Sequence, residues 1–195
     1  EIDRVLVGRD RINARVRELA GELSLALRRD AGIAESSQDA EVEGVVLVPI
    51  LTGALVFTAD LIRELPLKLS LEMMAVSSYA GRTTTSRGAE LRRAISGDLR
   101  GKHVVIVDDI LDSGRTLKLV REVIGEHEPA SVRAVVLLEK PDVERVCEPG
   151  DVVGGSFAEH IGFAIPNEFV VGYGLDYDGH YRNLPDIATL KPEAL

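Results

Sequence analysis

Two runs in this chain leave no face for water. Gly44-Val45-Val46-Leu47-Val48-Pro49-Ile50 and Val104-Val105-Ile106-Val107, the latter entered from His103, contain no polar side chain. A half-exposed strand would alternate, so uninterrupted apolar runs of this length suit strands covered on both faces, as in parallel sheets. Val132 to Leu138 reads as a third strand. Segments of helical period lie between and before these runs. Over residues 10–29, Ile12, Val16, Leu19, Leu23 and Leu27 recur at spacings of three and four, with Asp10 as the expected N-cap. Ala54 to Leu65 reads as a second helix stopped by Pro66, and about Leu117 to His127 as a third, ended by Glu128-Pro129. Strands alternating with helices predict an α/β fold with a mostly parallel central sheet flanked by helices. Ala31 to Glu43 reads as a loop. Leu67, Leu69, Leu71 and Met73 alternate with Lys68, Ser70, Glu72 and Met74, which predicts a strand with one buried face.

Composition narrows the function classes. A length of 195 residues against a soft prior of roughly 150 per domain predicts one domain, 1–195. With 23 Lys+Arg against 32 Asp+Glu the net charge is −9. That disfavours nucleic-acid binding by bulk attraction. No stretch approaches the ~18 apolar residues of a membrane helix, so no membrane partner is expected. Glu1-Ile2-Asp3-Arg4 has no apolar secretion core, and the single cysteine, Cys147, suits a reducing compartment, so a cytoplasmic location is expected. The four histidines, His103, His127, His160 and His180, form no metal-ligand spacing.

Chemistry concentrates where the second apolar run ends. Asp108-Asp109-Ile110-Leu111-Asp112-Ser113-Gly114-Arg115-Thr116 packs three acids and two hydroxyls into nine residues ahead of a helix. In open α/β sheets, ligands bind beyond the C-terminal strand ends. The turn opens a helix whose free N–H groups and positive dipole end favour phosphate. Gly114 permits close approach or positive φ. Carboxylates repel phosphate but accept hydrogen bonds from hydroxyls. A sugar phosphate, with its diol against Asp108 and Asp109, satisfies both halves. Neither a Walker A loop nor a dinucleotide Gly-x-Gly-x-x-Gly is present, since Gly172-Tyr173-Gly174 lacks the third glycine. The polar tract 77–88, rich in hydroxyls, reads either as a solvated connection or as a lid.

Val104 through Leu117, VVIVDDILDSGRTL, resembles the phosphoribosyl pyrophosphate motif of type I phosphoribosyltransferases. Leu137-Leu138-Glu139-Lys140, Ile161 to Pro166 and Phe169 to Tyr177 resemble the purine-recognition region of the hypoxanthine-guanine branch of that family. Ser78-Tyr79 resembles the start of its mobile loop. The resemblance covers about 44 to 184. It implies a type I phosphoribosyltransferase fold with a small hood from about 1–8 and 155–195. It further implies that Asp112, Ser113, Gly114, Arg115 and Thr116 hold the 5′-phosphate, and that Asp108 and Asp109 contact the ribose diol. Asp112 is implied as the acid–base group near purine N7, and Lys140 as the donor to the 6-oxo group. Phe169 is implied as the stacking ring, and Val170 as a backbone contact to the base edge. Asp176 is implied as a magnesium ligand beside the purine, Asp108 and Asp109 as further carboxylates toward the metal, and Arg182 as a pyrophosphate contact. Read alone, Phe169 would be core, and Asp176 and Arg182 surface charges.

Leu51-Thr52-Gly53-Ala54 aligns with the family's pyrophosphate loop, in which a basic residue usually stands where this chain has Thr52. The resemblance implies a cis peptide between Leu51 and Thr52, and binding mainly through backbone N–H groups. The implied reaction joins hypoxanthine or guanine to 5-phosphoribosyl 1-pyrophosphate, with Mg2+ as cofactor, residues 77–88 as the lid, and a homodimer or homotetramer as the assembly. A non-catalytic sensor of phosphoribosyl pyrophosphate on the same fold is the alternative; the net charge of −9 and the lack of a basic arm count against it. A phospho-accepting receiver, suggested by Ile106-Val107-Asp108-Asp109, fails because that acidic pair belongs at a domain's first strand.

Overall fold

The computed structural model describes residues 1–34, 36–37, 40–77, 90–93, 95–145 and 157–194, with the side chains of 77 and 90–93 excepted. In chain order the elements are β1 (Ile2–Val7), α1 (Arg9–Asp30), β2 (Val45–Leu51), α2 (Leu55–Glu64), β3 (Leu69–Leu71), β4 (Met74–Ser77), β5 (Glu90–Arg93), β6 (His103–Leu111), α3 (Arg115–Gly125), β7 (Ser131–Glu139), β8 (His160–Ala164), β9 (Val170–Val171) and β10 (Ile187–Leu190). The large sheet runs β5-β4-β2-β6-β7-β8, with β3 also paired to β2; every pairing in it is parallel except β4 with β5. No helix among the described residues is long and apolar enough to cross a membrane.

The apolar runs behave as their patterning requires. Val45, Leu47, Val105, Val107, Val135 and Leu137 enter one core cluster, with α1 and α2. Val46, Val48, Val104, Ile106, Ala134 and Val136 enter the other, with α3. Period-two alternation therefore buries both faces of β2, β6 and β7, and a strand buried twice has no polar position to spare. On α1 the predicted stripe is the buried one, and Ala20 and Ala26 join it. Each such leucine contributes on the order of 2–3 kcal/mol by leaving water.

Three expectations need correction. The N-cap of α1 is Gly8, not Asp10, which lies inside the first turn. The Asp186 carboxylate supplies the missing acceptor, taking the Arg9 backbone N–H at 2.7 Å. The strand expected over 67–74 is broken into β3 and β4. Glu72 N–H donates to the Leu47 carbonyl, and the next donor on β2 would come from Pro49, which has none. Leu67 and Leu69 pack against the core with Lys68 and Ser70 exposed, as expected, but from Leu71 on the faces reverse: Leu71 and Met73 are exposed and Met74 is buried. Finally, β6 extends four residues past Val107, so Asp108 and Asp109 stand inside its C-terminal part rather than after it.

The chain ends build a second, three-stranded antiparallel sheet, β1-β10-β9. The hood expected from residue 155 onward overlaps the large sheet, because β8 pairs in parallel with β7.

Candidate active site

The C-terminal ends of β2 and β6 and the start of α3 enclose a cavity of about 550 Å3. Its walls include Leu51, Thr52 and Gly53 from the end of β2, Asp108 through Thr116 from β6 and the following turn, and Asp176 and Arg182 from the segment between β9 and β10. A volume in that range suits a small phosphorylated metabolite.

β6 delivers the acids. Asp108 is buried, and its Oδ1 accepts the Asp109 N–H at 3.0 Å, while Asp109 Oδ1 accepts the Ile110 N–H at 2.9 Å. Burial raises the pKa of both carboxyls and so favours their protonated forms; for Asp108 the adjacent Asp109 charge pushes the same way, whereas the Asp108 side chain, backbone donors and Arg182 partly offset the rise at Asp109. The chain then leaves the strand at Asp112 and turns at Gly114, whose φ of +82° is left-handed. From there α3 begins, with Lys118 N–H already bonded to the Gly114 carbonyl at 2.9 Å. The N–H groups at the start of α3 have no helical acceptor of their own and are available to an anion.

The loop after β2 is held against this turn. The Leu51–Thr52 peptide is cis. A Cβ placed on Gly53 would lie 1.7 Å from Asp109 Oδ2, so no side chain fits there. Thr52 is exposed.

Asp112 and Lys140 meet from neighbouring strands. Lys140 follows β7 and is buried; its N–H donates to the Leu111 carbonyl at 3.0 Å, which fixes the two strand ends together. Its Nζ lies 3.9 Å from Asp112 Oδ2. Asp176 and Arg182 pair with each other at 2.7 Å, Arg182 Nη1 donates to the Gly174 carbonyl at 2.6 Å, and Asp176 Oδ2 accepts the Gly179 N–H at 2.8 Å. Phe169 and Val170 do not line the cavity. The exposed Phe169 ring makes an edge contact, 5.4 Å between centroids, with Tyr177, the residue after Asp176. Val170 is buried in β9 opposite Thr189. Ser78, Tyr79 and most of the tract 77–88 lie outside the described residues.

The donor set at the cavity is oxygen-only. Asp108, Asp109 and Asp176 suit a hard cation such as Mg2+. Among the described residues, however, no three ligating side chains converge on one point, so the three acids do not form a ready-made cage as a common ligand set would. One or two carboxylates with substrate and water oxygens is the usual way Mg2+ is held, and the residues present fit that pattern.

Two contributors escaped the sequence reading. Gly174, at φ +104°, would place a Cβ 2.2 Å from the Gly53 carbonyl oxygen. Phe157 lies behind Gly114, with ring atoms 2.7–3.0 Å from where a Cβ would be. The Gly172-Tyr173-Gly174 spacing was the available signal for the first; nothing local marked the second.

The model of the phosphoribosyl transferase domain matches residues 13–178. The chain is 40% identical over 186 residues to a hypoxanthine phosphoribosyltransferase of Salmonella typhimurium, covering 95% of this chain and 94% of that one. It is 38% identical over 193 residues to a hypoxanthine-guanine phosphoribosyltransferase of Streptococcus pneumoniae, covering 99% and 96%. Among solved structures, a hypoxanthine-guanine phosphoribosyltransferase from Bacillus anthracis superposes with a TM-score of 0.79 at 34% identity, covering 98% of this chain and 100% of that one.

Proposed function

The chain belongs to the phosphoribosyltransferase family, and we propose that it serves purine salvage with its residues dividing the work as follows. The enzyme joins hypoxanthine or guanine to 5-phosphoribosyl 1-pyrophosphate, giving IMP or GMP and pyrophosphate. The turn Asp112 to Thr116 receives the 5′-phosphate through the N–H groups opening α3 and the hydroxyls of Ser113 and Thr116. Asp108 and Asp109 accept from the ribose diol. The Leu51-Thr52-Gly53 loop and Arg182 face the pyrophosphate. Asp176, with Asp108 and Asp109 toward the sugar, would hold Mg2+, which when bound neutralises charge on the departing pyrophosphate.

One observation carries this reading: the buried Lys140 ammonium sits 3.9 Å from the Asp112 carboxylate. The 6-oxo group and N7 are neighbours on one edge of a purine, so a donor beside an acceptor at this spacing matches that edge. As the bond from C1′ to pyrophosphate breaks, N9 forms the new bond to C1′ and positive charge grows on the base. The N7 proton then passes to Asp112. Phe169 offers a ring for stacking and Val170 a backbone contact. Residues 77–88 act as a lid that keeps water from the activated sugar. Residues 1–8 and 155–195, the β8 strand excepted, serve as the hood. A cytoplasmic location and a homodimer or homotetramer complete the proposal.

The test is a panel of purine bases incubated with phosphoribosyl pyrophosphate and Mg2+, read by pyrophosphate release. Release with hypoxanthine and guanine but not adenine is expected. Failure of both 6-oxopurines to release pyrophosphate would overturn the reading.

A further inference from the structure

The phosphate turn leans on something. Gly114 is left-handed, and the space its missing side chain leaves is filled by the ring of Phe157, which is 2% exposed. Phe157 belongs to neither β7 nor β8; its ring packs in the core cluster beside α3, and polar contacts fix its backbone. Arg121, two turns into α3, donates to the Phe157 carbonyl from Nε at 3.2 Å and Nη2 at 2.9 Å. The same Nη2 reaches both carboxylate oxygens of Glu159, at 2.8 and 2.7 Å. Glu159 Oε2 is in turn anchored by the Ala134 N–H of β7 at 2.7 Å. The helix that opens at the phosphate turn thus grips, from about two turns along, the residue that backs the turn. Charge-assisted bonds of this kind are shorter and stronger than neutral ones, and a fork that also engages a backbone carbonyl fixes direction as well as distance.

We propose that Phe157 is a positioning residue for the 5′-phosphate of the sugar substrate, with Arg121 and Glu159 as the clamp that holds its ring against Gly114. It touches no substrate. It keeps the turn at the curvature that aims the first N–H groups of α3 at one point, and preorganisation of that kind appears as affinity for the bound group. The inference rests on the reading of 112–116 as the 5′-phosphate cradle. It predicts an asymmetric effect, because Lys140 reaches the base from the end of β7, outside the turn that Phe157 backs.

The experiment measures KM for phosphoribosyl pyrophosphate and for hypoxanthine, with thermal midpoints, in the full-length wild type and in Phe157→Ala, Phe157→Leu, Arg121→Gln and Thr116→Val. Phe157→Ala is expected to raise KM for phosphoribosyl pyrophosphate about tenfold with KM for hypoxanthine within about twofold, Phe157→Leu to recover most of the loss, and Arg121→Gln to raise the same constant about threefold to tenfold. If Phe157→Ala fails to fold, Phe157→Leu and Arg121→Gln decide by the same split. Equal rises in both constants, or none in the folded variants, overturn the proposal. Thr116→Val separates the two failures: if it raises KM for phosphoribosyl pyrophosphate while the Phe157 and Arg121 variants do not, the cradle stands and only the backing role falls. If Thr116→Val is silent too, the cradle reading itself is lost.

Discussion

Asp112 is half exposed, Lys140 is buried, and 3.9 Å separates their charged atoms. The two therefore differ in what their loss would do. In the proposed reaction Asp112 stands where a proton moves in the transition state, so Asp112→Asn keeps the size and removes the acceptor. We expect kcat to fall about 10²–10⁴-fold, the usual worth of a positioned acid–base group, with KM for phosphoribosyl pyrophosphate within about threefold. Steady-state kinetics decides this, and parallel losses in both constants would assign Asp112 to binding alone. In the same proposal Lys140 acts through selectivity. A 6-amino base would set a donor against a buried ammonium and leave it unpaired. Lys140→Ala is expected to lower the hypoxanthine-to-adenine ratio of kcat/KM by about tenfold or more. An unchanged ratio in a base-competition assay would remove Lys140 from recognition.

At the scale of elements, a partly buried ion pair ties the end of α1 to β7. Arg133 Nε and Nη2 donate to the two Asp30 oxygens, both at 2.6 Å. Burial opposes ionisation of Asp30, but the Arg133 bonds and charge, with smaller help from Ser131 and His103, outweigh it and hold the carboxyl below its ordinary range. A depressed carboxyl contributes stability that is complete above the unfolded-state value near ~3.9 and is lost as pH falls through the folded value. Asp30→Asn should therefore cost about 1–3 kcal/mol at neutral pH, between the exposed and fully buried limits for such pairs. The gap between wild type and variant should close in acid below about pH 4, as Asp30 takes up its proton. Chemical denaturation across pH 2–7 measures it, and a gap independent of pH would mean that packing and not charge is lost. This pair was invisible to pattern reading. What could be read was what repeats along the chain: the α1 stripe and the doubly buried β2, β6 and β7 follow from local periods of 3.6 and two. The break between β3 and β4 depended on Pro49 in a neighbouring strand, and β9 is two residues long, too short for any period. That the acids and hydroxyls of 108–116 line one cavity was legible because they lie within nine residues of one another. Phe157 and Gly174 were not, because their roles exist only across the fold.

The whole molecule is two sheets that meet at the cavity, and glycines allow them to meet. Gly174, from the turn after β9, abuts the Gly53 carbonyl, and Gly53 itself has Asp109 Oδ2 where a Cβ would stand. Backbone from the small sheet, backbone from the β2 loop and a carboxylate from β6 are thus stacked with no slack between them. Elsewhere the small sheet and its flanking segments are tied by contacts with more give: the Arg4–Glu168 pair ties β1 to the segment before β9, and Asp186 caps α1. Gly174→Ala adds one methyl group to the tight stack. The left-handed backbone at that position costs an alanine about 1–2 kcal/mol, and the new Cβ, 2.2 Å from the Gly53 oxygen, must push a loop that has no room behind it. Gly32 isolates the first effect, since it also has positive φ but nothing within 4 Å of its Cβ position. Gly32→Ala should lower the thermal midpoint by a few degrees for a loss of about 1–2 kcal/mol, and Gly174→Ala should lower it further. Only Gly174→Ala should also raise KM for phosphoribosyl pyrophosphate, by about tenfold, because the displaced loop is the one proposed to face the leaving group. If the two variants are equally stable and equally active, the sheets are coupled elsewhere, and the position of the β2 loop is set within the large sheet alone.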